Sequence, residues 1–136
     1  MEGYSGTPLA RKLGIKEGAA VLFVNTPAHY SDLFTDFPSE VNELKKPQRG
    51  TADFIHLFCK TQECLEAEAQ HLKPFLKKNG MLWVSWPKGA SKIETNLNRE
   101  IIRTYMLTQV GLVDIKVAAI DVDWSGLKFV YRTKDR

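Results

Sequence analysis

Gly80-Met81-Leu82-Trp83-Val84-Ser85-Trp86-Pro87-Lys88 is the stretch on which the fold turns. A turn signal, Asn79-Gly80, precedes it, an apolar run fills it, and Pro87 closes it, which is the pattern of a buried strand. In an open α/β sheet ligands sit beyond the carboxyl ends of the strands, and Trp86, Pro87 and Lys88 occupy such an end. The stretch therefore marks a rim where a ligand would bind. It carries no catalytic motif of its own.

Upstream of it, Thr61 is a helix N-cap, and Leu65, Ala69, Leu72 and Leu76 form one apolar helical face. Pro74 removes a backbone donor and clashes with the preceding turn, so a shorter final turn is expected from there to Asn79-Gly80. The apolar run Asp53-Phe54-Ile55-His56-Leu57-Phe58 before this helix makes a βα unit. Ala19-Ala20-Val21-Leu22-Phe23-Val24 is apolar throughout, as a central strand covered on both faces must be. Asn25-Thr26-Pro27 ends it, a short helix is expected over 28–35, and residues 40–44 alternate like an edge strand. Thr7 as N-cap, Pro8 at the first helical position and Gly14 as the stop define a short first helix, within an N-terminal strap over 1–18.

Downstream, 91–96 is a polar loop, and Leu97, Ile101, Ile102, Tyr105, Met106 and Val110 mark a helix closed by Gly111. Strands over 112–120 and 127–132 follow, joined by Asp121-Val122-Asp123-Trp124-Ser125-Gly126. A parallel return needs a crossover of about a dozen residues or more, so these two strands pair antiparallel. The expectation is a three-layer α/β fold, with a mostly parallel sheet of about six strands ending in an antiparallel C-terminal hairpin.

At 136 residues the chain suits one domain over 1–136 with a core that needs no staples. Its apolar fraction of 43% and charged fraction of 26% are ordinary for a globular protein. No apolar run approaches the roughly 20 residues that span a bilayer. Met1-Glu2-Gly3-Tyr4-Ser5-Gly6 has neither a basic start nor an apolar core, so a cytoplasmic location is expected. The net charge of +3 is thinly spread, which disfavours nucleic acid as a partner. Cys59 and Cys64 do not have the spacing of a redox or zinc pair, and both are expected reduced.

The alternation of strands and helices resembles the class I methyltransferases, and Leu76-Lys77-Lys78-Asn79-Gly80-Met81-Leu82-Trp83-Val84 is similar to their helix-to-fifth-strand turn. That resemblance implies a Rossmann-like sheet. One departure counts: the resemblance puts a glycine-rich turn after the first strand, where backbone approaches adenosylmethionine, and here Val24-Asn25-Thr26-Pro27-Ala28-His29 has no glycine. Pro27 also lacks a backbone donor. One strand and helix of the full fold are missing before Asp53, so no cofactor is carried over. The chain is also similar to a family of short bacterial proteins of unknown function. Tyr4-Ser5-Gly6-Thr7-Pro8-Leu9 with Lys12-Leu13-Gly14-Ile15, Leu82-Trp83-Val84-Ser85-Trp86-Pro87-Lys88, and Asp121-Val122-Asp123-Trp124-Ser125-Gly126-Leu127-Lys128 carry that likeness, which implies no activity.

In such a sheet Asn25-Thr26, Cys59-Lys60, Trp86-Lys88 and the 121–125 connection emerge at one end. Trp86 and Trp124 offer flat apolar walls, Lys88 and Lys128 pair with an anionic group, and Asp121 or Asp123 takes hydroxyls. The alternative is that both tryptophans plug the sheet end and the charges form a solvated rim. Two carboxylates are too few for a metal site, and the three histidines are too dispersed for zinc. His56 reads as a hydrogen-bonded core residue, Ser85 as structural, and Cys59 as an exposed thiol without a base. The functional expectation is a non-catalytic binding or interaction module, with a small molecule or a protein partner at the tryptophan rim. The alternative is an enzyme that binds adenosylmethionine or a nucleotide in an altered pose.

Overall fold

The apolar runs become the middle of one sheet. The computed structural model describes residues 7–136, so Tyr4, Ser5 and Gly6 lie outside the described residues. A short helix α1, Leu9–Leu13, leads into β1, Ala20–Val24, a 3-10 turn at Tyr30–Leu33 and β2, Asn42–Glu43. Then come β3, Ala52–Phe58, α2, Gln62–Leu72, and β4, Leu76–Pro87. Helix α3, Arg99–Tyr105, runs on as a π-helical turn, Met106–Val110, before β5, Leu112–Ala119, and β6, Trp124–Tyr131.

The six strands are ordered β2-β1-β3-β4-β6-β5. β2, β1, β3 and β4 are parallel neighbours, and β6 runs antiparallel to both β4 and β5. The mixed α/β sheet expected from the sequence is therefore the observed one. Because the chain passes from β1 outward to β2 and then back across to β3, the order reverses between β1 and β3. That reversal is the switch point of the sheet.

Helices cover both faces. On one, Leu65, Ala69 and Leu72 of α2, Ile102 of α3 and Met106 of the π-helical turn pack over Ile55, Leu57, Leu82, Val84 and Trp86. On the other, Leu9, Ala10 and Leu13 of α1 and Tyr30 cover Val21, Phe54, Phe58, Trp83 and Trp124. The alternation of Trp83 and Trp86 between opposite cores follows from their odd spacing on one strand. The Trp83 indole Nε1 donates to the Leu13 carbonyl at 2.8 Å, fastening the end of α1 to the sheet centre.

Four elements differ from expectation. Pro8, with extended backbone, takes the N-cap position rather than Thr7. The free N–H groups of α1 are met instead by Asp36, whose two carboxylate oxygens accept from Ala10 N at 3.1 Å and Arg11 N at 3.0 Å. After Pro74 the chain does not wind on to Asn79-Gly80: the 3-10 turn Lys73–Phe75 ends, and Leu76 already pairs with Ala52 at the start of β4. A register shift between Ala52 and Phe54 accommodates the extra residues there. Residues 124–126, expected in a loop, begin β6, because Trp124, Ser125 and Gly126 pair with Pro87, Trp86 and Ser85. The helix expected over 28–35 is only the 3-10 turn at Tyr30–Leu33.

A polar spine crosses the core. His56 is fully buried on β3; its Nδ1 meets the Tyr30 hydroxyl at 2.8 Å and its Nε2 meets Ser85 Oγ at 2.8 Å. Neutral imidazole has one donor and one acceptor nitrogen, and hydroxyls fill either role, so the spine is satisfied without charge. Burial pushes the His56 pKa down from 6.5 to about 3. The unfolded chain thus binds a proton that the folded chain refuses, and stability is complete above pH 6.5 and is lost as pH falls toward 3. This one group contributes a slope approaching about 1.4 kcal/mol per pH unit. Urea midpoints measured across that range are expected to fall more steeply for the wild type than for His56→Gln. His56→Leu strands two buried hydroxyls, at about 1–3 kcal/mol each.

Candidate ligand cleft at the switch point

The ends of β1 and β3 diverge at the switch point and leave a cleft of about 550 Å³. Its walls are the segment 25–29 after β1, Phe58, Lys60, Thr61 and Cys64 around the β3-to-α2 turn, Ile93, and Asp123 with Trp124 at the start of β6. The volume lies within the range of small-molecule sites. The segments expected to converge do so because β6 is antiparallel: its first residue pairs with Pro87, the last residue of β4.

Asn25 makes the sharp exit from β1. Its φ of 59° is the left-handed conformation that a glycine supplies without strain, and asparagine tolerates it better than most residues. Its Nδ2 lies 3.5 Å from Cys64 Sγ, tying the β1 exit to the first turn of α2. Thr61 caps that helix, its Oγ1 accepting from Cys64 N at 3.1 Å. Lys60 is exposed beside it, and its carbonyl accepts from the Thr95 hydroxyl at 2.6 Å, holding the 91–96 loop near the cleft.

Asp121 organises the opposite wall. Its Oδ1 accepts from Asp123 N and Trp124 N, both at 2.8 Å, closing a tight turn into β6. Its Oδ2 lies 2.9 Å from His29 Nε2, so the imidazole is held over the cleft from across the sheet end. The His29 side chain is 48% exposed and that of Asp121 only 13%. Trp124 itself is buried, edge-on to Phe58 with ring centroids 5.0 Å apart.

Of the residues singled out in the sequence, Asn25, Thr26, Asp123 and Trp124 line the cleft, and Asp121 sits behind it as turn former and partner of His29. The others lie elsewhere. Trp86 is buried in the α2/α3 core on the far face, so only one tryptophan borders the cleft. Lys88 N donates to the Asp123 carbonyl at 2.8 Å, and the Lys88 side chain is near enough to Lys12 to help lower the Lys12 pKa, after burial and Lys116. Lys128 pairs with Trp83 in the middle of the sheet, where burial, then Lys116 and Lys16, lower its pKa. Cys59, expected to be exposed, is buried, because it still follows the β3 ladder: its N–H donates to the Ser85 carbonyl at 2.9 Å.

His29, Thr61 and Cys64 were not singled out as site residues. Thr61 and Cys64 follow from the position of the α2 start beside β1, whereas His29 depends on a partner 92 residues away. Among the described residues no group of three or more His, Cys, Asp and Glu is placed to hold a metal ion. No helix among them is long and apolar enough to cross a membrane.

The architecture is the methyltransferase-like α/β fold. The chain is similar to a SAM-dependent methyltransferase from Aquifex aeolicus, with a TM-score of 0.61 and 18% identity over 88% of this chain and 86% of the other. It is also similar to a TehB-like SAM-dependent methyltransferase from Corynebacterium glutamicum, with a TM-score of 0.55 and 11% identity over 96% and 90% of the two chains. A third is 1,6-didemethyltoxoflavin-N1-methyltransferase from Burkholderia thailandensis, solved with S-adenosylhomocysteine, with a TM-score of 0.56 and 9% identity over 89% and 73%. At these identities the likeness is one of fold. No protein-family profile and no curated protein matches the chain.

The left-handed exit at Asn25 is open to test by substitution. Asn25→Gly is expected to leave the melting temperature unchanged within a few degrees, while Asn25→Val is expected to cost about 1–2 kcal/mol, since a β-branched residue resists this conformation. Equal losses in both variants would assign the role of Asn25 to its amide contact with Cys64 instead.

Proposed function

We propose that this chain is a small-molecule-binding protein that holds an adenosyl-type ligand, adenosylmethionine or a nucleotide, in the switch-point cleft as a binding module without methyl transfer. The observation that carries the reading is the cleft itself, which opens between the carboxyl ends of β1 and β3, where open α/β sheets take their ligands. Apolar surface from Phe58, Pro27, Ile93 and the Trp124 edge lies beside the polar groups of Thr26, Lys60 and Asp123. This mixture suits a flat heterocycle carrying a polar tail. An adjoining cleft of about 620 Å³ shares Thr26, Pro27 and Ala28 and includes Glu43 at the end of β2. A carboxylate at the end of the second strand is where dinucleotide-binding sheets meet ribose hydroxyls.

These residues fit the nucleoside portion of adenosylmethionine and depart from the usual grip on its charged tail. Pro27 has no N–H, and its carbonyl already accepts from Tyr30 N at 3.0 Å. The β1 exit thus offers few backbone donors, and Lys60 is the cationic side chain available at the cleft. Of these ligands only adenosylmethionine carries an activated methyl group. Loss of the close backbone approach supports binding over transfer.

The second reading, an enzyme, is favoured by His29 and Asp121. A buried carboxylate that orients a half-exposed imidazole is the arrangement of a general base. If turnover is found, His29→Ala is expected to lower kcat by about 10²- to 10⁴-fold.

Thermal shift with adenosylmethionine, adenosylhomocysteine and a panel of nucleotides tests the proposal directly. A ligand at about 100 times its Kd adds about 2.7 kcal/mol, on the order of 10 °C here. Thr26→Trp, which fills the cleft, is expected to abolish the shift while folding normally. A flat panel with the wild type would overturn the small-molecule reading, and methyl transfer from labelled adenosylmethionine to any acceptor would overturn its non-catalytic half.

A further inference from the structure

Neither cysteine is used by the binding role. Cys59, the residue after β3, is buried, and Cys64, in the first turn of α2, is half-buried on the cleft wall. Their Sγ atoms are 2.8 Å apart, closer than two thiols sit in ordinary contact. Both backbones are fixed: Cys59 N donates to the Ser85 carbonyl at 2.9 Å, and Cys64 N to Thr61 Oγ1 at 3.1 Å. Cys64 Sγ also lies 3.8 Å from the Phe58 carbonyl oxygen and 3.5 Å from Asn25 Nδ2. The sheet and the helix cap thus hold two thiols within bonding reach, although the four residues between them match no redox motif in sequence.

We propose that Cys59 and Cys64 form a reversible thiol–disulfide site, oxidised by low-molecular-weight disulfides of the glutathione class, on the wall of the cleft. Cys64 is the entry point because it alone of the two reaches solvent. Its thiolate attacks one sulfur of glutathione disulfide, the glutathione S–S bond breaks, and one glutathione thiolate leaves. Cys59 then attacks Cys64 Sγ, the mixed disulfide bond breaks, and the departing glutathione thiolate takes up the Cys59 proton. The two protein thiols lose two electrons and two protons in all, and one glutathione disulfide becomes two thiols.

The order of events follows from the environment. Burial raises the Cys59 pKa, and the contact with Cys64 raises it further, so the inner thiol is inert while both are reduced. Once Cys64 carries glutathione, that contact no longer opposes ionisation of Cys59, and an electrophilic sulfur lies beside it. Ring closure also changes the cleft wall, because the Cys64 sulfur beside the Asn25 amide loses its proton and becomes half of a disulfide. A half-exposed disulfide of this kind remains open to reduction.

The readout needs no cleft ligand, so it stands or falls apart from the adenosyl reading. Fully reduced protein is equilibrated in glutathione/glutathione disulfide buffers of increasing oxidising ratio, quenched with acid, and examined by intact mass and thiol count. Both thiols are expected to disappear together with loss of two hydrogens, and dithiothreitol should restore them. Cys64→Ser is expected to block the change, and Cys59→Ser to stop at a glutathione adduct on Cys64. Wild-type protein that stays reduced at the oxidising end, or accumulates the mixed disulfide without closing, would overturn the proposal, and these two outcomes need no variant to fold.

Discussion

The bond pair around His56 is the constraint on which the rest of the molecule depends. It joins β3 to β4 through Ser85 and joins both to the 3-10 turn after β1 through Tyr30. Backbone ladders alone would fix the strands and leave the β1 exit free. The Tyr30 hydroxyl anchors that exit, and its pKa is raised by burial and then by Glu43, so it keeps its proton throughout the physiological range. The spine works because all three groups are neutral and mutually satisfied; an ion in the same place would have to be desolvated without a counter-charge.

From this anchor the cleft follows almost mechanically. Tyr30 pinned to β3 leaves the five residues 25–29 to bridge from the strand end, and Asn25 absorbs the reversal with a left-handed backbone. His29 is thereby delivered to Asp121 at the mouth of the hairpin. The antiparallel hairpin matters for the same reason: a parallel last strand would start at the opposite end of the sheet, and neither Asp123 nor Trp124 would reach the cleft. A sheet in which only β6 is reversed therefore gathers four chain segments at one end.

Much of this was legible in the sequence, and what was not has definite causes. The apolar runs 19–24 and 53–58 and the Trp83 strand stand out because a strand buried on both faces cannot alternate. Trp124-Ser125-Gly126 reads as a turn by composition, yet Gly126 sits inside β6 in a tight space: a Cβ there would lie 3.0 Å from the Trp83 ring and 3.2 Å from Ser85 Oγ. Small residues that look like loop formers are here making room for a large neighbour. The split of Trp83 and Trp86 between faces was implicit in their spacing, whereas the His29–Asp121 pair and the closeness of the two thiols are products of tertiary structure alone. Capping of α1 by Asp36 belongs to the same class, since no local pattern announces a cap supplied from another segment.

The two edges of the sheet are unequal, and the inequality bears on what each could offer to another strand. β2 offers only two residues, too few to template a neighbour. β5 is eight residues long and carries the exposed side chains of Ile115 and Val117, the features of a sticky edge. Yet Asp114 pairs with Phe129 and Lys116 with Lys128, which leaves Ile115 as an extra residue outside the ladder. Such a bulge bends and twists the strand, so a straight incoming strand cannot stay in register along it. One unpaired isoleucine thus interrupts the regular ladder that an incoming strand would need along this edge.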